Sequence, residues 1–334
     1  MLCLPTSRVS DGVIPALKLN VGLHEPIWFF CAFVARATAV SGGLLRCGTR
    51  KQGRRACGMR FSIITPSYCN SEWLKLCVAS VADQGVDYEH IVQDGGSDDG
   101  TLDWLLHDRR VTAYLEQDSG MYDGINRGLK KARGEIIAHL NCDEQYLPGA
   151  LRAVDEFFSA HPAVDVLFAD AVAVDGEGEY LWHRKMLRPL LWHTWTCHLA
   201  TLTCATFFRR SIIEQRNIFF NTRWRYVGDG EFMIRLIQQR VPMAVLRRFT
   251  SVFTHTGGNL SMRPEAREET LRYYSTAPPL ARRLRPLTLA HHFLRRLLAG
   301  SYSQRRFDFQ LYTSSSPARR INRHVNKPTS RWRW

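Results

Sequence analysis

The residues best suited to chemistry lie in four short polar segments, each following an apolar run. They are Thr65-Pro66-Ser67-Tyr68, Gln93-Asp94-Gly95-Gly96-Ser97-Asp98-Asp99-Gly100-Thr101, Glu116-Gln117-Asp118-Ser119-Gly120 and Asn141-Cys142-Asp143-Glu144. Paired carboxylate oxygens, as in Asp143-Glu144, suit a hard cation such as Mg²⁺ or Mn²⁺. Such an ion commonly binds a diphosphate and neutralises the charge that grows as it leaves. The sequence has no GxxxxGK[ST] loop and no GxGxxG after a strand, so a metal is the expected substitute for a glycine-rich phosphate cradle. Taken singly, each segment has a plainer reading. Asp94 to Ser97 reads as a turn, Ser97 or Asp99 as a helix cap, and Asp143-Glu144 as a solvated loop. Their joint position favours the chemical reading.

That position follows from the periodicity. Phe61–Thr65 reads as a buried strand stopped by Pro66, and Ser71–Gln84 as a helix capped by Ser71. Tyr88–Val92 and Val111–Leu115 read as strands on either side of a helix from Thr101 to His107. A helix from Gly124 to Arg133 precedes a strand at Glu135–Leu140, a helix at Leu147–Ala160 and a strand at Val164–Ala169. Alternation at this spacing implies βαβ units and an open, mostly parallel sheet flanked by helices. Ligands bind beyond the carboxyl ends of such strands, where all four polar segments fall. After Asp170 the pattern changes to an antiparallel hairpin, Ala171–Val174 and Glu179–His183. A strand at Thr203–Phe208, a helix at Gly230–Gln239 and a strand at Met243–Arg247 follow. Trp182, Trp192 and Trp195 are candidates for stacking on sugar rings or for ordinary packing.

The four segments, with Met121-Tyr122-Asp123-Gly124-Ile125-Asn126-Arg127-Gly128 and Gly134-Glu135-Ile136-Ile137-Ala138-His139-Leu140 between them, resemble family 2 glycosyltransferases of the GT-A fold, in the subgroup that builds bacterial surface polysaccharides. The resemblance implies a metal-assisted, inverting transfer of a sugar from a nucleotide donor. It places Thr65, Pro66 and Tyr68 at the nucleoside and has Asp94 accept hydrogen bonds from the base. Asp118, Tyr122 and Asn126 would border nucleotide and donor sugar. Asn141-Cys142-Asp143 would stand at the family's Asp-x-Asp metal motif, with Asn141 beside the donor, Asp143 as metal ligand and Glu144 as a second ligand in place of an Asp. Asp229 in Tyr226-Val227-Gly228-Asp229-Gly230-Glu231 matches the general base, with Glu231 as second candidate; a helix N-cap is the structural alternative for Asp229. His255-Thr256-Gly257-Gly258-Asn259-Leu260-Ser261 resembles a late Gly-Gly-x-x-Ser segment that closes over donor or acceptor. The expected donor is a UDP-sugar, with GDP- and dTDP-sugars as alternatives. The expected acceptor is a glycan or lipid-linked glycan. A catalytically silent nucleotide-sugar scaffold and a sugar nucleotidyltransferase are the competing classes, and Pro66 to Asn70 is unlike the phosphate loop of the latter.

Charge and cysteine content bound the setting. The net charge of +14 resides at the ends: +6 over residues 1–58, −4 over 59–262 and +12 over 263–334. A mildly acidic middle argues against nucleic acid as partner, and basic ends suit an anionic membrane surface. Nine cysteines without a CxxC pair argue against a disulfide framework and for a reducing, cytoplasmic setting, peripheral to the inner face of the membrane. Residues 1–58 lack sustained periodicity and read as a poorly structured extension: an over-extended start with Met59 as the initiating residue is the favoured reading, and a signal-peptide core at the apolar run Ile27–Ala35, too short to span a bilayer, is the alternative. Residues 59–262 form the catalytic domain. Residues 263–334 form a basic helical extension, in which Pro286 kinks a helix from Pro279 to Gly300 that either lies on an anionic membrane or packs on the catalytic domain with a solvated arginine face, and which becomes disordered from about Thr313.

Overall fold

The computed structural model describes residues 59–197 and 199–330; the expectations for residues 1–58 lie outside the described residues. In chain order the elements are β1 (Phe61–Ser67), α1 (Ser71–Ala82), β2 (Tyr88–Asp94), α2 (Thr101–Leu105), β3 (Thr112–Leu115), α3 (Met121–Lys131), β4 (Ile136–His139), β5 (Glu144–Tyr146), α4 (Ala150–Ala160), β6 (Val166–Asp175), β7 (Tyr180–Arg184), α5 (Leu191–Thr196), β8 (Thr206–Arg209), α6 (Ser211–Glu214), α7 (Gly228–Gln238) and β9 (Met243–His255). Three helices follow, α8 (Pro264–Ser275), α9 (Pro279–Arg283) and α10 (Arg285–Leu298), then the hairpin β10 (Phe307–Thr313) and β11 (Ser316–Val325).

The sheet runs β3-β2-β1-β4-β8-β6-β9-β5, with β7 paired to β6. Its first four strands are parallel. Every residue of β1 is buried, as a central strand covered on both faces requires. Beyond β4 the sheet becomes mixed: β8 lies antiparallel to β4 and β6, β6 and β9 are parallel, and β5 is antiparallel to β9. The main core is built on β1, β4, β6 and β8, with Phe61, Ile63, Ile136, Phe168 and Phe207 fully buried.

Several boundaries differ from the sequence expectation. Pro66 does not stop β1. The pairing with β4 has already ended at Ile64, so the missing N–H of Pro66 costs no ladder bond, and the strand continues opposite β2 to Ser67. Asn70 rather than Ser71 occupies the N-cap of α1, and the Ser71 N–H donates to Asp99 Oδ2 instead (3.1 Å). The segments expected as Val164–Ala169 and Ala171–Val174 are one strand, β6, bulged around Asp170. The short strand β5 stands where a loop was expected.

The C-terminal segment differs most. The expected helix breaks at Leu284, so that Pro286 stands in the first turn of α10, where a proline costs no hydrogen bond. The described residues after Thr313 are ordered, with Ser316–Val325 forming β11, where disorder was expected. Phe309, Leu311 and Val325 pack with Leu147, Val172, Val174 and Val252 in a second apolar cluster. At this contact Gly178, in the turn between β6 and β7 with φ of 76°, has no room for a side chain, because a Cβ there would stand 2.8 Å from Thr313 Cγ2.

Candidate active site

The ends of β1 and β2 are in register at Ser67 and Asp94, so the polar segments begin at one edge. Asp94 is fully buried. Its Oδ1 accepts the N–H groups of Gly96 (2.9 Å) and Ser97 (2.7 Å), and its Oδ2 accepts the Ser97 hydroxyl (2.8 Å). Ser97 Oγ in turn accepts the N–H of Cys69 (2.8 Å), which carries an unusual positive φ of 47°. Asp94 thus fixes the loop beside Tyr68. Tyr68 is 68% exposed, and its ring closes over Gly95. A Cβ at Gly95 would meet Tyr68 Cδ2 at 3.5 Å and Asp118 Oδ2 at 3.2 Å. Asp118 is half-buried, and burial raises its pKa. One of its oxygens accepts the Gly120 N–H (2.9 Å), and the other takes no hydrogen bond among the described residues. Tyr68, Gly95 and Asp118 therefore form an open, acceptor-bearing surface. Thr65 and Pro66 do not share it. Both are buried in β1, and the Thr65 hydroxyl is hydrogen-bonded to His90 Nε2 (2.9 Å).

The turn after β4 presents Asp143. His139 Nε2 lies 2.8 Å from Asn141 Oδ1. Glu144 folds back on the same turn: its Oε2 accepts the Asn141 N–H (2.8 Å) while its own N–H donates to Asn141 O (3.1 Å). Glu144 is 1% exposed, so this carboxylate is held inside rather than presented with Asp143. Burial pushes the pKa of both carboxyls up, and the charge of Asp143 raises that of Glu144 further. Neither has an ion-pair partner among the described residues, and Glu144 Oε1 is buried without a hydrogen bond. Asp143 Oδ2 accepts from Asn259 Nδ2 (3.2 Å), which also donates to Thr254 O (2.9 Å). No group of three His, Cys, Asp or Glu side chains among the described residues is arranged around an ion. A magnesium-type site needs only one or two carboxylates, with water and substrate phosphate completing the shell. Asp143, desolvated and without an ion-pair partner among the described residues, fits that demand as a single carboxylate.

Asp229 stands in the first turn of α7. Burial pushes its pKa to about 6. Its N–H donates to the Tyr122 hydroxyl (3.1 Å), and that hydroxyl lies 3.5 Å from Asp229 Oδ1. Asp229 shares a cavity wall with His139, Thr201, Thr203 and Phe220, and Tyr122 lines a neighbouring cavity of about 140 Å³ with Trp224, Arg225 and Arg263. His139 therefore joins the base candidate to the Asp143 turn. Glu231, one helical position pair further on, is committed elsewhere: both its oxygens pair with Arg235 at 2.9 Å. Asn126 is likewise occupied. Its amide donates to Phe220 O (2.8 Å) and accepts the Phe220 N–H (2.9 Å), pinning the chain beneath the Tyr122 ring, which stacks on Phe220. Trp182 is buried against Phe253 and His255, Trp195 bonds Thr276, and Trp192 is the exposed one of the three.

Two contributors escape the sequence reading. Asn259 lies within the singled-out Gly-Gly segment, yet its bond to Asp143 spans 116 positions in the chain. Glu269 on α8 is buried, and accepts the N–H groups of Arg225 (2.9 Å), Tyr226 (2.6 Å) and Val227 (2.9 Å). It holds the entry to α7, and hence Asp229, from the basic extension. No local motif singles it out from Glu265 and Glu268 on the same helix.

The open, mixed sheet flanked by helices is of the GT-A type. The chain belongs to glycosyltransferase family 2 and is a glycosyltransferase. The family model for glycosyl transferase family 2 matches residues 62–216. A PGL/p-HBAD biosynthesis glycosyltransferase of Mycobacterium tuberculosis is 31% identical over 183 residues, covering 52% of this chain and 68% of that one. GgaB of Bacillus subtilis, a minor teichoic acid biosynthesis protein, is 24% identical over 192 residues, which is 54% of this chain and 21% of GgaB. Among solved structures, S. aureus TarS 1–349 in complex with UDP-GlcNAc superposes with a TM-score of 0.54 at 21% identity, covering 72% of this chain and 73% of that one. At that identity the likeness is one of fold.

Proposed function

We propose that the protein transfers a sugar from a nucleoside diphosphate sugar, with UDP as the expected nucleotide, to a hydroxyl of a cell-surface glycan or its lipid-linked precursor, on the cytoplasmic face of the membrane. The observation that supports this reading is that Asp229 and His139 line one pocket, and that His139 Nε2 bonds Asn141 Oδ1 on the turn that carries Asp143. The relatives named for PGL/p-HBAD and minor teichoic acid biosynthesis support the glycan class, and TarS with UDP-GlcNAc supports the nucleotide.

Each part of the site then has a task. The Tyr68 ring covers the nucleobase, and Asp118, with one free oxygen, accepts an N–H from it. Asp94 keeps the loop beneath Tyr68 in place. Asp143 is the residue that would hold Mg²⁺ or Mn²⁺, steadied by Asn259; such an ion supplies positive charge against the diphosphate. Asp229 takes the proton from the acceptor hydroxyl, whose oxygen attacks the anomeric carbon from the face opposite the nucleotide. The bond to the diphosphate breaks as the new glycosidic bond forms, so one displacement inverts the configuration. Tyr122 orients Asp229 through the backbone. A screen of UDP-, GDP- and dTDP-sugars for nucleotide release in the presence of Mn²⁺ tests the reading. Release from one donor class, lost in Asp229→Asn, is expected; binding without turnover of any donor assigns the chain to the scaffold class instead.

A further inference from the structure

Helix α10 carries its polar residues inward and its leucines outward. Thr288, His292 and Arg296, spaced four apart, are buried. Leu287, Leu294, Leu297 and Leu298 are 66%, 51%, 64% and 78% exposed, and Leu280 on α9 is 57% exposed. This register is fixed from beneath. Arg296 donates to Ser330 Oγ (2.9 Å) and stacks on Tyr302, His291 bonds His193 (3.1 Å), and Arg295 donates to Arg188 O (2.7 Å). Turning the helix to bury the leucines would break all of these contacts. The leucine stripe is therefore a built feature of the surface rather than a loosely packed helix.

The charge around the stripe identifies what covers it. Between Thr270 and Phe307 the chain holds eight arginines and no Asp or Glu. Arg282, Arg283 and Arg285, just before the stripe, are exposed. A second copy docked face to face would set these arginines against one another, with no carboxylate in the stretch to pair them. An anionic bilayer satisfies both halves of the surface, apolar below and phosphate-rich at the level of the arginines. No helix among the described residues is long and apolar enough to cross a membrane, so the contact is one of lying on the surface. We propose that α9 and α10 form a membrane-docking face, with Leu287, Leu294, Leu297 and Leu298 entering the boundary between headgroups and acyl chains and Arg282 and Arg283 on the lipid phosphates. This proposal stands apart from the transfer reaction, because binding is measured without donor.

Flotation of the full-length protein on phosphatidylcholine vesicles with and without phosphatidylglycerol tests it. Binding to the anionic vesicles is expected to exceed that to neutral ones by at least about tenfold, and to fall at high salt. Leu294→Asp with Leu298→Asp should lose that binding while the circular dichroism and melting temperature stay unchanged. Should that variant fold poorly, Arg282→Gln with Arg283→Gln leaves the helix intact and should lose the anionic preference alone. Equal flotation on both vesicles, or undiminished binding by a folded leucine variant, overturns the proposal. So does a dimer in sedimentation velocity that Leu294→Asp converts to monomer, which would assign the face to a second copy.

Discussion

Tyr122 holds Asp229 by its backbone: the Asp229 N–H reaches the Tyr122 hydroxyl at 3.1 Å, while Asp229 Oδ1 accepts the Gly230 N–H at 2.8 Å and lies 3.5 Å from that hydroxyl. The neighbouring acid is arranged in the opposite way, because Glu231 spends both oxygens on Arg235. Asp229→Asn is therefore expected to lower kcat by about 10³-fold or more with little change in nucleotide affinity. Glu231→Gln should change kcat less than about tenfold and instead lower the melting temperature slightly, through loss of an i,i+4 pair. Steady-state kinetics on both variants check the assignment; the reverse ranking would move the base to Glu231.

The elevated pKa of Asp229 gives two pH dependences of known sign. A base must be ionised to work, so kcat/KM should rise with pH up to about 6 and level off above it. Stability runs the other way. A carboxyl whose folded pKa lies above its ordinary value of 3.8 contributes stability when protonated, and that contribution is lost as pH rises through about 6. Asp229→Asn should thus be more stable than the wild type at pH values above 6, by about 1–2 kcal/mol after allowance for its partial exposure, and no more stable at acid pH. Denaturant unfolding on both sides of that pH measures the difference.

Two glycines of α3 should separate binding from folding. A Cβ at Gly124 would stand 2.8 Å from Asp118 Oδ2, and one at Gly128 would stand 2.5 Å from Ile64 Cγ2. Gly124→Ala displaces the Asp118 carboxylate but improves helix propensity by up to about 1 kcal/mol. It should weaken donor binding several-fold at unchanged or raised melting temperature. Gly128→Ala overpacks the core against β1 and should cost about 1–3 kcal/mol. Donor titration and thermal melts on the pair show whether the two effects separate.

Glu269 should behave as a positioning residue. Its replacement by Ala strands the N–H groups of Arg225, Tyr226 and Val227, each lost charge-assisted bond costing about 1.5–3 kcal/mol before relaxation. Because those residues lead into α7, kcat should fall by about 10–100-fold with KM for donor nearly unchanged. A loss confined to stability, with kcat intact in the folded fraction, would remove Glu269 from the account.

The parallel half of the sheet is legible in the sequence because each strand there is a short apolar run ended by turn residues, as with Phe61–Ser67 and Tyr88–Asp94. The antiparallel half is less so. Strand β5 is three residues long, and Glu144 within it reads as a loop carboxylate until its pairing with Phe253 is seen. The hairpin after Phe307 is polar enough to look unstructured. Its order comes from Phe309 and Leu311 meeting Val172 and Val252, far away in sequence. In the site, a motif could point to Asp143 and Asp229 because their neighbours in the chain are distinctive. It could not show that Thr65 and Asn126 are turned to structural partners, nor that Asn259 and Glu269 reach the site, since those are facts of long-range packing.

The central claim is that Asp143 couples nucleotide binding to a divalent ion. Calorimetric titration of UDP, GDP and dTDP, with and without Mn²⁺, into the wild type and Asp143→Ala tests it most directly. For whichever nucleotide binds, Mn²⁺ should tighten the wild-type affinity by at least about tenfold, a coupling of about 1.4 kcal/mol, and should leave the affinity of folded Asp143→Ala unchanged. The same gain from Mn²⁺ in both proteins would contradict the account.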